Sequence, residues 1–251
     1  MSHRGASAFK PFVTVSREIA RGTGGTTTIP PADRAQVFID FDGTITQVDV
    51  IDDLIRRYAV DDSWKTVEEQ WQRGEIGSRE CLSREFDVIR VSPADLSAFL
   101  AEVPLDPGAR ELFSLLREHR VPVSVLSDGV DLFINHILDS AGLGSVIVRS
   151  NAIERHGDRL RLVCPHHVPS CPVGAAHCKC ASAQLLQEQG RRSIYIGDGR
   201  SDLCAARKAG CVFAKGALAA SLKNCGTPCT SFSSLTDVRA ILDNAWSGVH
   251  A

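Results

Sequence analysis

The chain has 251 residues, of which 43% are hydrophobic and 23% charged, and its formal net charge is −2. These values are ordinary for a globular protein, and they provide no basic field for binding nucleic acid or an anionic membrane surface. The apolar runs are far too short to cross a bilayer. We therefore expect one core domain with room for a smaller insert.

The first 34 residues have the composition of a flexible tail. Glycine and threonine dominate residues 21–28 and two prolines follow, without helical or strand periodicity. No run of seven or more apolar residues, as in a signal peptide, occurs in this segment. The nine cysteines are an odd number in a long chain, which does not favour a secreted disulfide framework. We expect a reduced, cytoplasmic protein.

Apolar spacing predicts the remaining elements in chain order. A short buried strand is predicted at 35–40, and helical spacing over 49–104 predicts an insert of three or four helices. From residue 107 the predicted elements are helix 109–119, strand 121–126, helix 131–141, strand 146–148, hairpin 152–163, helix 182–189, strand 193–196, helix 201–209 and strand 211–214. Such alternation predicts an α/β fold with a doubly wound parallel sheet. Residues 35–48 and 105–251 would form its core domain.

Polar residues of a catalytic type follow three of the predicted strands. They are Asp40-Phe-Asp42-Gly-Thr44, Ser127-Asp128-Gly129 and Asp198-Gly-Arg-Ser-Asp202. Each motif alone is also typical of a turn, but the carboxyl ends of parallel strands meet at one edge of the sheet. Carboxylates gathered there repel by about 4 kcal/mol per close pair at an effective dielectric near 20. A divalent cation removes that cost, and oxygen ligands favour Mg²⁺.

These motifs, with Lys179 between the second and third, resemble those of the haloacid dehalogenase superfamily. The resemblance implies a magnesium-dependent phosphatase that hydrolyses a small phosphomonoester through an aspartyl-phosphate. Asp40 would be the nucleophile and Asp42 the general acid and base. Ser127 and Lys179 would bind phosphoryl oxygens, and Lys179 is also counted as catalytic.

The resemblance also implies metal and substrate residues. The metal set is Asp40, Asp42 through its backbone carbonyl, Asp198, and Asp202 in support. The further substrate-binding candidates are Thr44, Asp49, Asp128 and Gly129, although the plainer interpretation of Asp128 is a turn residue. The partner would be a small phosphorylated metabolite, with no nucleic acid and no membrane, and the enzyme would be a monomer or homodimer.

The insert after the first motif resembles the small helical cap of the phosphoserine-phosphatase-like branch. In that branch a glutamate and an arginine of the cap hold the amino acid, and here Asp49 and Glu85 fall at those positions. A carboxylate cannot clamp the carboxylate of phosphoserine. Segments 74–81 and 127–131 and the cysteine-rich loop are more similar to phosphatases of methionine salvage that act on 2-hydroxy-3-keto-5-methylthiopentenyl-1-phosphate. Phosphoserine phosphatase, a phosphotransferase and a catalytically silent binding relative remain alternatives.

Seven cysteine and histidine residues fall within the loop at 164–180. Their irregular spacing matches no standard zinc module, so zinc, a disulfide and free thiols all stay open. Cys204 and Cys211 lie on a predicted helix and strand, and we expect both in the core.

Overall fold

A computed structural model describes residues 28–247, so most of the predicted tail, residues 1–27, lies outside the described part of the chain. The last residues of that predicted tail contact the core. A short 3-10 helix spans Ala32–Arg34, and the indole N–H of Trp246 donates to the carbonyl oxygen of Pro30 at 3.0 Å. The first strand therefore starts from a segment that is tied to the C-terminal end of the chain.

The core is a seven-stranded sheet. Its strands are β1 (Ala35–Ile39), β2 (Val123–Val130), β3 (Ile147–His156), β4 (Arg159–Val163), β5 (Arg192–Gly197), β6 (Cys211–Ala214) and β7 (Thr230–Ser231). Their spatial order is β4-β3-β2-β1-β5-β6-β7, and all neighbours are parallel except the β3–β4 hairpin. The chain winds outward from β1 in both directions, which confirms the predicted doubly wound α/β fold.

Ten α-helices accompany this sheet in the described residues. They are α1 (Val50–Tyr58), α2 (Ser63–Gln72), α3 (Ser78–Val88), α4 (Pro93–Glu102), α5 (Ala109–Glu118), α6 (Asp131–Ser140), α7 (Lys179–Leu186), α8 (Leu203–Ala206), α9 (Gly216–Asn224) and α10 (Leu235–Ser247). The first four lie between β1 and α5, and we call them the helical insert. The chain leaves and re-enters the core at adjacent points, since Thr46 and Leu105 form an antiparallel bridge. Among residues 28–247, no helix combines the length and apolar character needed to cross a membrane.

Alternate residues of β1 face two separate apolar clusters. Val37 and Ile39 join the larger cluster, which also contains Leu54 of the helical insert. Phe38 points to the other face and packs in a smaller cluster with Leu126 and other residues of the second layer. β1 is buried on both faces, which explains its uninterrupted apolar run. The run ends where the chain reaches the open edge of the sheet.

The structure differs from the predicted elements in several places. β2 continues beyond residue 126 to Val130, with a register shift against β3. The predicted helix 201–209 is a 3-10 turn at Arg200–Asp202 followed by the four residues of α8. No element was predicted beyond residue 214, although α10 buries Leu235, Val238 and Leu242 at helical spacing.

Candidate active site

Lys179 lies between two carboxylates at the carboxyl edge of the sheet. Its Nζ is 2.6 Å from Oδ1 of Asp40, which directly follows β1, and 2.7 Å from Oδ1 of Asp202. Burial alone would lower the pKa of Lys179, but the carboxylates of Asp202 and Asp40 outweigh it and hold that pKa above its ordinary value. The ammonium group is therefore charged. The backbone N–H of Phe41 also donates to Oδ1 of Asp40, so neither of these two donors holds Oδ2.

Asp42 and Ser127 come together from neighbouring strands. The Ser127 hydroxyl donates to Oδ2 of Asp42 at 3.1 Å and accepts from the backbone N–H of Gly129 at 2.8 Å. A Cβ atom on Gly129 would lie 2.8 Å from Oδ2 of Asp42 and 2.9 Å from Oγ of Ser127, so a larger residue here would force these two side chains to shift. Oδ1 of Asp42 accepts from the backbone N–H of Val50 at the start of α1. Burial raises the pKa of Asp42 to about 6, although these hydrogen bonds oppose the shift.

Asp198 reaches the same edge from the end of β5. The Thr44 hydroxyl donates to Oδ1 of Asp198 at 2.9 Å, and Thr44 is fully buried. Gly43 has a φ of 68° and a Cβ there would lie 2.5 Å from Oδ2 of Asp198, so the motif needs glycine for both conformation and space. Thr44, predicted to bind substrate, orients Asp198 in this arrangement.

Asp202 is fully buried and its carboxylate accepts four hydrogen bonds. Oδ1 accepts from Lys179 Nζ and from the hydroxyl of Tyr195 at 2.8 Å. Oδ2 accepts from the backbone N–H groups of Asp198 at 3.2 Å and Gly199 at 3.0 Å. Asp202 thus positions the ammonium group of Lys179 and the loop that carries Asp198. Tyr195 was not predicted; the only signal was a tyrosine in a buried strand, whose hydroxyl needs a partner.

Asp128 links the helical insert to the loop before Lys179. Its Oδ2 accepts from the hydroxyl of Ser78, the first residue of α3, at 2.9 Å. Its Oδ1 accepts from the backbone N–H of His177 at 2.9 Å. Close to this link, a Cβ on Gly77 would lie 2.4 Å from the carbonyl oxygen of Gly174. Both oxygens of Asp128, a predicted substrate-binding residue, are therefore engaged by neighbouring protein groups.

Asp49, the other predicted substrate-binding acid, caps α1. Its exposed side chain accepts from the backbone N–H groups of Ile51 and Asp52, both at 3.0 Å. An N-cap contact of this kind satisfies donors that the first helical turn leaves open. This geometry explains an acidic residue at position 49 without a ligand.

The cysteine- and histidine-rich loop does not assemble a metal site within residues 28–247. His177 is buried, and burial lowers its pKa to about 3. Its neutral ring lies between the Ser127 carbonyl oxygen (2.8 Å from Nδ1) and the Ser182 hydroxyl (2.6 Å from Nε2). Because a carbonyl only accepts, Nδ1 carries the proton and Nε2 accepts. The ring therefore supports the Ser127 segment.

A disulfide joins Cys180 to Cys204. The expectation of a buried core position is wrong for Cys204, which is exposed, whereas Cys211 is fully buried as expected. Cys204 lies in the short α8, whose outer side faces solvent, and a longer helix was predicted there. The other loop cysteines, Cys164, Cys171 and Cys178, are free thiols.

The acidic cluster fits a divalent cation. Carboxylate oxygens of Asp40, Asp198 and Asp202 lie within 4.8 Å of one another, and Lys179 leaves two of the three negative charges uncompensated. Burial and then repulsion from Asp202 raise the pKa of Asp40, while Lys179 opposes the shift. Burial likewise raises the pKa of Asp198. Because Asp202 already has four donors, Asp40 and Asp198 are the side chains with capacity for a metal, and an all-oxygen set suits Mg²⁺.

A buried acid in the helical insert gives a pH-dependent prediction. Glu85 of α3 is 3% exposed, and burial, followed by repulsion from Glu68, raises its pKa from the ordinary 4.5 to about 7. The folded state thus binds this proton more tightly than the unfolded chain. The resulting stabilisation is fully present below about pH 4.5 and is lost as the pH rises through 7.

We therefore expect Glu85→Gln to raise the free energy of unfolding by about 2 kcal/mol more at pH 8 than at pH 5. Urea denaturation at the two pH values measures this difference. Glu80→Gln, at an exposed position of the same helix, is the matched control and should show no such dependence. An equal effect of Glu85→Gln at both pH values would contradict the ionisation argument.

Sequence comparisons identify a family and several similar proteins. A family model described as haloacid dehalogenase-like hydrolase matches residues 37–207. The chain is 30% identical over 209 residues to the 2-hydroxy-3-keto-5-methylthiopentenyl-1-phosphate phosphatase of Brevibacillus brevis, covering 82% of this chain and 94% of that protein. It is 26% identical over 205 residues to the protein of the same name from Geobacillus kaustophilus, covering 80% and 92%.

Solved structures are similar in fold. A substrate-bound phosphoserine phosphatase superposes with a TM-score of 0.63 at 19% identity, covering 84% of this chain and 97% of that one. An unliganded probable phosphoserine phosphatase from Vibrio cholerae gives a TM-score of 0.64 at 22% identity, covering 86% and 66%. The matched family model and the phosphatase relatives define a hydrolase, and its core is a doubly wound parallel sheet with an acidic carboxyl edge. The chain belongs to the haloacid dehalogenase-like hydrolase family, which confirms the resemblance seen in the sequence.

Proposed function

We propose that this chain is a magnesium-dependent phosphatase that hydrolyses a small phosphomonoester through an aspartyl-phosphate on Asp40. The observation that carries this proposal is the convergence of Asp40, Asp42, Ser127, Lys179 and Asp198 at one edge of the sheet. A carboxylate nucleophile, an acid, a fixed cation and a hydroxyl are the groups that phosphoryl transfer requires. Relatives that align with about four fifths of the chain are named as phosphatases.

The protein groups divide the reaction into two steps. In the first, Oδ2 of Asp40, which neither Lys179 nor the Phe41 N–H holds, attacks phosphorus, and the ester oxygen leaves with a proton from Asp42. In the second, water attacks the phosphorus of the aspartyl-phosphate while Asp42 takes a proton from that water. Inorganic phosphate and an alcohol are released, and Asp40 returns as a carboxylate.

The environment of Asp42 supports its role as general acid. A carboxyl group with an ordinary pKa near 3.9 holds almost no proton at neutral pH, whereas burial raises the pKa of Asp42 to about 6. The Ser127 hydroxyl and the Val50 N–H fix its two oxygens in position. Asp42 can thus carry a proton into the first step and accept one in the second.

Lys179 and Ser127 are proposed to bind phosphoryl oxygens. Lys179 is fixed by two carboxylates, so its charge needs no rearrangement when negative charge develops on the phosphoryl group. Asp40 and Asp198, with the backbone carbonyl of Asp42, would hold Mg²⁺. The ion would supply further charge neutralisation at the phosphoryl oxygens.

We propose the helical insert, residues 49–104, as a cap over a core of residues 35–48 and 105–251. The Ser78–Asp128 contact and the bridge between Thr46 and Leu105 support this division. By similarity to the named relatives, the proposed substrate is 2-hydroxy-3-keto-5-methylthiopentenyl-1-phosphate or a related metabolite. Glu85, at the position of the cap arginine, argues against the carboxylate of phosphoserine.

We further propose a cytoplasmic location and a monomer or homodimer. The net charge of −2 supports an enzyme that acts on a diffusing metabolite rather than on nucleic acid or a membrane surface. Size-exclusion chromatography with light scattering measures the oligomeric state directly. A mass above that of a dimer would contradict this part of the proposal.

Removal of the divalent ion tests the proposed function. We expect purified protein to release p-nitrophenol from p-nitrophenyl phosphate with Mg²⁺. EDTA should lower that rate by more than about tenfold. Added Mg²⁺ in excess of EDTA should restore the rate. A panel of metabolite phosphates then ranks substrates by kcat/KM. Hydrolysis that is unchanged by EDTA would refute the metal dependence.

A further inference from the structure

Two cysteines join the elements that carry Lys179 and Asp202. Cys180 is the residue after Lys179 in α7, and Cys204 follows Asp202 by two positions in α8. Their Cα atoms are 5.9 Å apart and their sulfur atoms form a disulfide, as that separation allows. Neither cysteine takes part in the proposed reaction. A covalent bond therefore connects the two chain segments whose side chains form a buried ion pair in the catalytic centre.

This bond restrains the placement of Lys179 and of Asp202, the residue that positions it. The disulfide lies next to the buried ion pair in which Lys179 Nζ is 2.7 Å from Oδ1 of Asp202. The same Nζ is 2.6 Å from Oδ1 of Asp40. Asp202 also accepts from the backbone N–H of Asp198. A shift of α8 against α7 would thus move the Lys179 ammonium group and the loop that carries Asp198 together. With only four residues, α8 depends on its neighbours for its position.

The disulfide is open to reagents, although the groups it supports are not. Cys204 is exposed and Cys180 half-buried, whereas Lys179 and Asp202 are buried. A small thiolate can therefore attack the sulfur of Cys204. It forms a mixed disulfide there and releases Cys180 as a thiolate, which takes up a proton. A second thiolate then attacks the small-molecule sulfur of the mixed disulfide; Cys204 leaves as a thiolate and takes up a proton, and the small disulfide is released.

We propose that Cys180 and Cys204 form a thiol–disulfide exchange site whose oxidation state sets the position of Lys179 and Asp202, and thereby the phosphatase rate. The proposal rests on the proposed function. The disulfide form holds Lys179 between Asp40 and Asp202 and is the more active one. Reduction by low-molecular-weight thiols, which keep cytoplasmic cysteines reduced, frees α8 and lowers activity.

The test compares oxidised and reduced wild-type enzyme with Mg²⁺ and p-nitrophenyl phosphate at 25 °C. We expect reduction with dithiothreitol to lower kcat/KM by roughly 2- to 30-fold, the range of positional coupling in proteins, and to weaken inhibition by inorganic phosphate by a similar factor. Reoxidation with glutathione disulfide should restore both values. The Cys180→Ser/Cys204→Ser variant should have the kcat/KM of the reduced enzyme, and neither reagent should change it.

Two controls make the outcome specific. Cys225→Ser, at an exposed free cysteine, should keep the full redox response. If the double variant does not fold, Cys204→Ala removes the bond at its exposed end and serves in its place. Trypsin digestion of oxidised, unreduced protein should yield linked peptides 180–191 and 201–207, and their absence would overturn the proposal.

The remaining outcomes separate the two proposals. Equal kcat/KM and equal phosphate inhibition in both oxidation states would overturn the exchange site and leave the phosphatase function intact, even if the thermal midpoint changes, because a purely structural crosslink alters only stability. Lack of hydrolysis in both states with Mg²⁺ would refute the proposed function, and the exchange proposal would fall with it.

Discussion

Asp40→Asn is expected to lower kcat/KM for p-nitrophenyl phosphate by at least about 10⁴-fold, because an amide oxygen cannot replace the carboxylate nucleophile. The variant keeps the shape of the side chain and a carbonyl-type acceptor for Lys179 and the Phe41 N–H. It should therefore fold. Steady-state kinetics measure the loss, and rapid acid quenching followed by mass spectrometry measures phosphate on the peptide that contains residue 40.

The matched control for this substitution is Asp53→Asn. Asp53 lies in α1 and pairs with Arg56 in a surface ion pair, which contributes little to stability. This variant should retain the wild-type rate and the trapped phosphate. Activity of Asp40→Asn within tenfold of the wild type, or phosphate found on a residue other than Asp40, would contradict the assignment of the nucleophile.

Lys179→Met is expected to affect both activity and stability. Methionine has a similar length without charge, so Asp40 and Asp202 lose their shared cation in a buried site. Removal of one partner from a buried ion pair costs about 3–5 kcal/mol, and loss of a fixed charge at a phosphoryl group costs on the order of 10²- to 10³-fold in kcat. Urea denaturation and initial rates with Mg²⁺ measure the two effects separately.

An exposed lysine supplies the comparison. Lys223 lies in the last turn of α9 with its side chain in solvent, and Lys223→Met should change the free energy of unfolding by less than about 0.5 kcal/mol. A Lys179→Met enzyme with wild-type stability would show that the ion pair contributes nothing to the fold. A wild-type rate would remove Lys179 from the proposed reaction.

The sheet edge was predictable because its physics is local. The apolar run of β1 ends at Asp40, side chains two apart on a strand share a face, and parallel strands converge at their carboxyl ends. The roles of Thr44 and Asp128 were not predictable in the same way. Whether a buried oxygen faces a ligand or a neighbouring segment depends on contacts over 154 residues for Thr44 and 50 residues for Asp128.

Other features depended wholly on tertiary structure. Tyr195 is an ordinary strand residue until its hydroxyl meets Asp202. The partner of Cys180 lies 24 residues away, outside the cysteine-rich loop. The helix predicted at 182–189 lies three residues earlier, at Lys179–Leu186, and its first residue makes two buried ion pairs that the sequence pattern does not reveal.

Hydrogen bonds at the start of α3 join the helical insert to the core beside the proposed catalytic centre. They run from the Ser78 hydroxyl to Asp128, from the Ala176 N–H to Ser78, and from the Arg79 N–H to the Gly174 carbonyl. At about 1 kcal/mol each, these three contacts alone would hold this end of the insert against the core in all but on the order of 1% of molecules. If the proposed cap covers Asp40, a phosphate ester too large to fit beneath it, such as a phosphorylated side chain of a folded protein, would first have to break these contacts. Discrimination between free metabolites and phosphoproteins would then be a matter of size before it is one of chemistry.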